Sequence, residues 1–134
     1  MEFKLRHSTI EDIVIKKSVL IIDDSVDSLY LGRALLERDG FKVFTASSGT
    51  EAFCILEKIS ELNLILLDMH MEDMSGSCFL ETLEKRTPEF LSNVPVVFYS
   101  AVDEVPMSKA AGFIRKAGDI NYFLKQVRSF IELH

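Results

Sequence analysis

The sequence predicts an α/β fold, in which a parallel sheet of five strands is covered by helices on both faces. Short apolar runs alternate along the chain with amphipathic stretches of helical length, as in consecutive β-α units. The first run, VLII at residues 19–22, is continuously aliphatic, which is typical of a strand buried on both faces. We therefore expect one doubly wound domain, because 134 residues are too few for two good cores.

The predicted strands are short and apolar. Pro95 is tolerable because it lies near the start of its strand. Right-handed crossovers between parallel strands place the carboxyl ends of all the strands along one edge of the sheet. The strands are predicted at residues 19–22, 41–46, 62–67, 94–99 and 113–114.

Capping and turn residues mark the predicted helices. The first helix should open at Ser25 or Asp27 and close at Gly40, with Leu31 and Leu35 on its inner face. A proline at position 88 should end the third helix at about residue 86. The second, third and last helices should begin after SSG at 47–49, after SG at 75–76 and at the cap Asp119.

Composition and charge exclude several classes of protein. Hydrophobic residues make up 48% of the chain and mean hydropathy is +0.17, which excludes an intrinsically disordered chain. A net charge of −6 argues against nucleic-acid binding and against attachment to an anionic membrane. No apolar run approaches the roughly 18 residues of a membrane span. Cys54 and Cys78 form no CxxC pair or zinc knuckle, so we expect buried or spectator thiols in a reducing cytoplasm.

Carboxylate, hydroxyl and ammonium side chains directly follow four of the predicted strands. In a doubly wound sheet the ligand site lies beyond such ends, where the strand order reverses. Clustered carboxylates repel one another, and Mg²⁺ relieves that repulsion while keeping several waters. With a metal, an ammonium and a hydroxyl to neutralise phosphoryl oxygens, a carboxylate can form an aspartyl phosphate. The side chains are Asp23 and Asp24 after the first strand, Asp68 after the third, Ser100 after the fourth and Lys116 after the fifth.

These motifs, taken in order, resemble those of the receiver domain of two-component response regulators, the CheY-like family. The matching stretches are VLIIDDS around Asp23 and Asp24, LILLDMHMEDMSG around Asp68, VVFYSA around Ser100 and FIRK ending at Lys116. The resemblance covers residues 19–131 and implies a flavodoxin-like sheet with the strand order 2-1-3-4-5. It divides the chain into an N-terminal extension, residues 1–17, and a receiver domain, residues 18–134.

The resemblance also implies a phosphoacceptor site. Asp68 is expected to accept a phosphoryl group. Asp24, Asp68 and the backbone carbonyl of His70 are expected to bind Mg²⁺ directly, and Asp23 through a water.

Further residues are implied to respond to the phosphoryl group. Ser100 and Lys116 are expected to hold its oxygens, and Phe113 is the aromatic that swings inward when the hydroxyl of Ser100 moves. Phe113 has no phenol hydroxyl, so its switch would depend on packing alone. His70 and Val102 stand at positions that, in the family, influence how fast the phosphoryl group is hydrolysed. An imidazole and an apolar valine there would screen the attacking water, which predicts a long-lived phosphoryl group.

The resemblance implies partners as well. The phosphoryl donor is expected to be a histidine kinase or a histidine phosphotransfer protein, and the output a downstream protein; homodimerisation is left open, and neither nucleic acid nor membrane is expected. We expect no enzymatic activity beyond slow self-dephosphorylation. The 134 residues leave no room for an output domain, so the chain would act by protein contact, pass the phosphoryl group on, or be part of a longer protein.

Three departures from the family pattern affect these expectations. Lys116 is followed by Ala117-Gly118 instead of proline, which leaves the lysine less preorganised. Glu72 replaces a common proline and either adds charge near the site or is a solvated loop carboxylate. Lys116 follows Ser100 by only 16 residues, which predicts a shortened or irregular fourth helix at residues 103–111.

Two other functions are weighed against a phosphoacceptor. A pseudo-receiver, which binds a partner without phosphorylation, is favoured by the altered lysine loop and opposed by the intact carboxylates. A phosphatase of the haloacid dehalogenase type is disfavoured, because it needs a second acid two residues after the nucleophile, where this chain has His70. Binding of Mg²⁺ would distinguish a working receiver from a pseudo-receiver. Multiple turnovers in a phosphatase assay would indicate the phosphatase.

Overall fold

Five parallel strands form one sheet in the order β2-β1-β3-β4-β5, which confirms the predicted fold class and strand order. The computed structural model describes residues 16–101, 110–116 and 119–132. Ile22 of β1 pairs with Ala46 of β2 and with Leu67 of β3, so these strands end level with one another. The strands are β1 (Ser18–Ile22), β2 (Lys42–Ala46), β3 (Leu64–Leu67), β4 (Val96–Ser100) and β5 (Gly112–Arg115).

Three of the helices begin at serine caps directly after a strand or its loop. The hydroxyls of Ser25, Ser48 and Ser75 each accept the backbone N–H three residues further on, at 3.2, 3.0 and 3.0 Å. These bonds satisfy N–H groups that have no partner within the helix. The helices in the described ranges are α1 (Val26–Arg38), α2 (Gly49–Lys58), α3 (Gly76–Arg86), α4 (Pro88–Asn93) and α5 (Ile120–Glu132).

The sheet is buried on both faces because its strands alternate side chains between two apolar clusters. Leu20 and Ile22 of β1 belong to a cluster with Phe79 of α3. Val19 and Ile21 belong to the opposite cluster, which contains Leu36 of α1, and Phe123 and Val127 of α5. Helices therefore cover both faces, as predicted. Among the described helices, none is both long and apolar enough to cross a membrane.

The inner face of α1 differs from the prediction. Gly32 and Leu36 are buried, whereas Leu31 is 56% exposed and Leu35 is partly buried. A Cβ on Gly32 would lie 3.0 Å from Cδ1 of Ile21, so the helix backbone packs closely on the sheet at this glycine. This close approach turns Leu31 toward solvent, and its assignment to the inner face was wrong.

Two further segments bear on the predictions. Pro88 ends α3 as expected, but it also begins the short helix α4, which was not predicted, because proline suits the first turn of a helix. The predicted short fourth helix lies between β4 and β5. Residues 102–109 of that segment, and residues 1–15 of the N-terminal extension, lie outside the described residues, so both remain predictions.

Candidate functional site

The ends of β1, β3, β4 and β5 bring the predicted site residues to one edge of the sheet. One carboxylate oxygen each from Asp23, Asp24 and Asp68 lies within 4.8 Å of the others. Backbone hydrogen bonds hold two of these residues to the sheet: the N–H of Asp23 donates to Ala46 at 3.0 Å and that of Asp68 donates to Ile22 at 2.9 Å. The positions of the two aspartates therefore follow from the strand register.

Asp23 is buried and paired. Its exposure is 1%, and its Oδ1 accepts the backbone N–H of Ser25 at 2.9 Å. Its Oδ2 accepts a hydrogen bond from Nζ of Lys116. The same ammonium lies 5.2 Å from the ring centroid of Tyr99, within the range of a cation–π contact. Asp23 and Tyr99 thus together position the lysine.

Asp68 lies at the edge of the core, where it is 9% exposed. Its Oδ1 is 3.4 Å from the backbone N of His70, which donates to it. Burial raises the pKa of the Asp68 carboxyl, the Lys116 ammonium lowers it, and the charge of Asp23 raises it again, with a net upward shift. Burial is therefore the main cause of the upward shift, and the neighbouring carboxylate of Asp23 adds to it.

Asp24 is exposed and is reached by the loop between β3 and α3. Its Oδ2 accepts the backbone N–H of Glu72 at 3.1 Å. Glu72 itself is exposed, which agrees with its interpretation as a solvated loop carboxylate. A proline at this position would have no N–H to donate.

Ser100 and Lys116 lie side by side at the ends of β4 and β5. Ser100 is 3% exposed, and its carbonyl accepts the backbone N–H of Lys116 at 2.8 Å. Parallel pairing of Ser100 with Arg115 fixes this register. The register therefore brings Ser100 to the same edge of the sheet as Lys116, whose ammonium contacts Asp23.

The comparison with known proteins identifies the family. The family model described as response regulator receiver domain matches residues 19–131. The chain belongs to this family.

Receiver-domain relatives are similar over much of the chain. The transcriptional regulatory protein CpxR homolog of Haemophilus influenzae is 38% identical over 87 residues, which are 64% of this chain and 35% of that protein. The transcriptional regulatory protein CrdR of Helicobacter pylori is 29% identical over 121 residues, which are 86% of this chain and 54% of that protein. The chain thus spans about half or less of the length of these relatives.

Solved receiver-type structures share the fold. Chemotaxis protein CheY4 of Vibrio cholerae has a TM-score of 0.75 at 22% identity, covering 87% of this chain and 99% of its own. Response regulator protein TrrA of Thermotoga maritima, in complex with Mg(2+)-BeF, has a TM-score of 0.74 at 20% identity, covering 85% of this chain and 98% of its own.

The remaining residues implied by the receiver family are placed as follows. Phe113 is partly buried on β5, opposite Phe98 in register, and packs against the cluster that contains Leu67. His70 is exposed beside Asp68. Val102, Ala117 and Gly118 lie outside the described residues, so their predicted roles remain predictions.

Two residues near the receiver site were missed by the sequence analysis. Asp73 accepts the backbone N–H groups of Gly49 and Thr50 at the start of α2, at 3.2 and 3.0 Å. The N–H of Thr50 holds the pKa of Asp73 below its ordinary value of 3.8.

Tyr99 packs on Phe123 with ring centroids 5.2 Å apart, and burial raises the pKa of its phenol to about 12. Both residues contact partners distant in sequence, and no local motif marks them.

Proposed function

We propose that this receiver domain accepts a phosphoryl group on Asp68 from a histidine kinase or a histidine phosphotransfer protein, and signals to a protein partner. The observation that carries the proposal is the approach of three carboxylate oxygens to within 4.8 Å of one another. The Lys116 ammonium contacts one of these carboxylates, and the buried Ser100 ends the strand beside Lys116. Crowded negative charge next to groups that bind phosphoryl oxygens suits phosphoryl transfer.

The carboxylates fit Mg²⁺, which prefers oxygen ligands and keeps several waters. Asp24, Asp68 and the backbone carbonyl of His70 would hold the ion directly, and Asp23 would act through a water. When bound, the ion supplies positive charge that offsets the charge of the carboxylates and of the transferred group. Burial and, to a smaller extent, the charge of Asp23 raise the pKa of Asp68, and a bound cation would offset both effects by stabilising the ionised carboxylate.

Asp68 is the nucleophile of the transfer. One of its oxygens attacks the phosphorus of a phosphohistidine, so a P–O bond forms and the P–N bond breaks. The histidine nitrogen keeps the electron pair and takes a proton from water. The Lys116 ammonium, paired with Asp23 before the reaction, turns toward the phosphoryl oxygens, where it makes a charge-assisted hydrogen bond. The Ser100 hydroxyl donates to another oxygen.

The signal leaves the site through β4 and β5. Movement of the Ser100 hydroxyl toward the phosphoryl group opens space that the half-buried ring of Phe113 can enter. Because Phe113 makes no hydroxyl contact, the two positions differ in packing alone. The output is a protein contact, and the domain turns over no substrate beyond slow loss of its own phosphoryl group.

The phosphoryl donor docks on the exposed apolar side chains of α1 and α5. Tyr30 is 78% exposed and Leu31 56% on α1, and Ile120 is 50% exposed at the start of α5. A groove of about 320 Å³ is lined by Leu31 and Ile120 and also by Lys116, whose ammonium contacts Asp23. Exposed apolar side chains grouped in this way are typical of a protein contact surface.

The test is the intact mass of the chain after incubation with a small phosphodonor, with and without Mg²⁺. The wild-type chain should gain one phosphoryl group only with Mg²⁺, and Asp68→Asn should gain none. Asp27→Asn, which removes an exposed carboxylate from α1, is the matched control and should be phosphorylated normally. A wild-type chain that neither gains mass nor binds Mg²⁺ would indicate the pseudo-receiver instead.

A further inference from the structure

The loop between β3 and α3 is closed at its base. The N–H of Gly76 donates to the carbonyl of Met69 at 2.9 Å, and His70 forms an antiparallel bridge with Ser75. These contacts hold the two ends of the loop together next to Asp68, and residues 71–74 form its tip.

Two adjacent residues anchor the tip of this loop on either side. The N–H of Glu72 donates to Oδ2 of Asp24 at 3.1 Å. The carboxylate of Asp73 accepts the N–H groups of Gly49 and Thr50, and the hydroxyl of Thr50 at 3.0 Å. Asp73 thus fastens the loop to the start of α2, and this contact limits how far the neighbouring amide of Glu72 can move.

Asp24 depends on this loop more than Asp23 does. Asp23 is buried and is held by both Ser25 and Lys116. Asp24 is exposed, and within the described part of the chain its carboxylate accepts one hydrogen bond, from Glu72. An exposed aspartate with no fixed partner would exchange between rotamers. The Glu72 bond selects the rotamer that keeps a carboxylate oxygen near Asp23 and Asp68.

We infer that the backbone N–H of Glu72, and not its side-chain charge, positions Asp24 for a divalent cation, and that Asp73 keeps this N–H in place. The inference rests on the proposed function, in which Mg²⁺ binds these carboxylates. A proline in place of Glu72 would remove the donor, whereas an alanine would remove only the charge. The two substitutions therefore separate the two roles of the position.

The experiment is a calorimetric titration of the full chain with Mg²⁺ at physiological ionic strength. Glu72→Pro should bind Mg²⁺ about 3- to 10-fold more weakly, which corresponds to the loss of one hydrogen bond. Glu72→Ala should stay within about twofold of wild type, because salt screens an exposed charge. Asp73→Ala should also weaken binding, and Asp73→Asn should weaken it less, since the amide keeps one of the two acceptor oxygens that contact the start of α2.

A second measurement needs no proline and no metal. Amide hydrogen exchange at Glu72 should be about fivefold faster in Asp24→Ala than in wild type, as expected for the loss of one hydrogen bond. Unchanged exchange would overturn the inference. Equal Mg²⁺ affinity of Glu72→Pro and wild type, or equal weakening by Glu72→Pro and Glu72→Ala, would also overturn it and leave the proposed function standing. A wild-type chain that binds no Mg²⁺ would overturn both.

Discussion

Gly76 is the residue where a single added methyl group should damage the site most. A Cβ there would lie 2.4 Å from the backbone carbonyl oxygen of Asp68 and 3.0 Å from Cα of Met69. Both atoms belong to the main chain, which cannot rotate away as a side-chain end can. The carbonyl of Asp68 must retreat by about 0.6 Å to reach 3.0 Å, and such overpacking costs about 1–3 kcal/mol.

Gly76→Ala should therefore lower both stability and phosphorylation. We expect a Tm in EDTA that is lower by roughly 3–10 °C for a chain of this size. Displacement of the Asp68 backbone should slow Mg²⁺-dependent phosphorylation by a small phosphodonor roughly 10- to 100-fold. Thermal unfolding and the rate of phosphoryl gain by intact mass measure the two effects.

Gly49→Ala is the matched control, because Gly49 also follows a serine cap at the start of a helix. Its added Cβ would meet only side-chain atoms of Met74, the nearest at 2.5 Å. That flexible side chain can move aside, and alanine favours the helix, so stability should stay within about 1 kcal/mol of wild type. An equal Tm and an equal phosphorylation rate in Gly76→Ala and Gly49→Ala would refute a damaging backbone contact at Gly76.

Four more results are expected from the environments of Asp68, Asp73, Tyr99 and Leu31. In EDTA at neutral pH, Asp68→Asn should raise the Tm: the folded-state pKa of Asp68 lies above its unfolded value, so its stabilising effect is present at low pH and is lost as pH rises. Asp73→Ala should cost about 0.5–1 kcal/mol at neutral pH in denaturant unfolding. Because the pKa of Asp73 is lowered, this difference should shrink as pH falls below 3.8 and toward the folded-state pKa. The absorbance of Tyr99 should titrate near pH 12, later than that of exposed tyrosines, and a value near 10 would contradict its burial. Leu31→Asp should slow transfer from a histidine-containing donor protein and leave transfer from a small phosphodonor unchanged; equal slowing of both would refute the docking surface.

The strands and the carboxylate cluster followed from local patterns in the sequence, whereas the strand order followed from the resemblance to receiver domains. A run such as 19–22 predicts a buried strand by itself, and parallel pairing then carries Asp23 and Asp68 to the same edge. The serine caps also act within three residues of their partners, so their helices could be located from the sequence.

Contacts between segments that are distant in the sequence could not be predicted from such local patterns. Asp73 caps a helix that begins 24 residues earlier in the chain, and a loop aspartate has no local mark of that role. Leu31 fitted an apolar stripe, but the close packing of Gly32 on Ile21 set the rotation of α1. Periodicity in the sequence gives the spacing of the apolar residues along a helix. How closely the helix packs on the sheet, and which face it turns inward, depends on where a small residue lies at the contact.

The three serine-capped helices have a consequence for the electrostatics of the site. In right-handed β-α units a helix begins where the preceding strand ends, so α1, α2 and α3 direct their first turns to the edge that carries Asp68. The aligned peptide dipoles give each helix start about half a unit of positive charge, which falls off beyond the first turn. A chain with a net charge of −6 can therefore present, at this one edge, a backbone potential that favours an anion. Side-chain charges alone would understate how readily a phosphoryl group is tolerated beside three carboxylates.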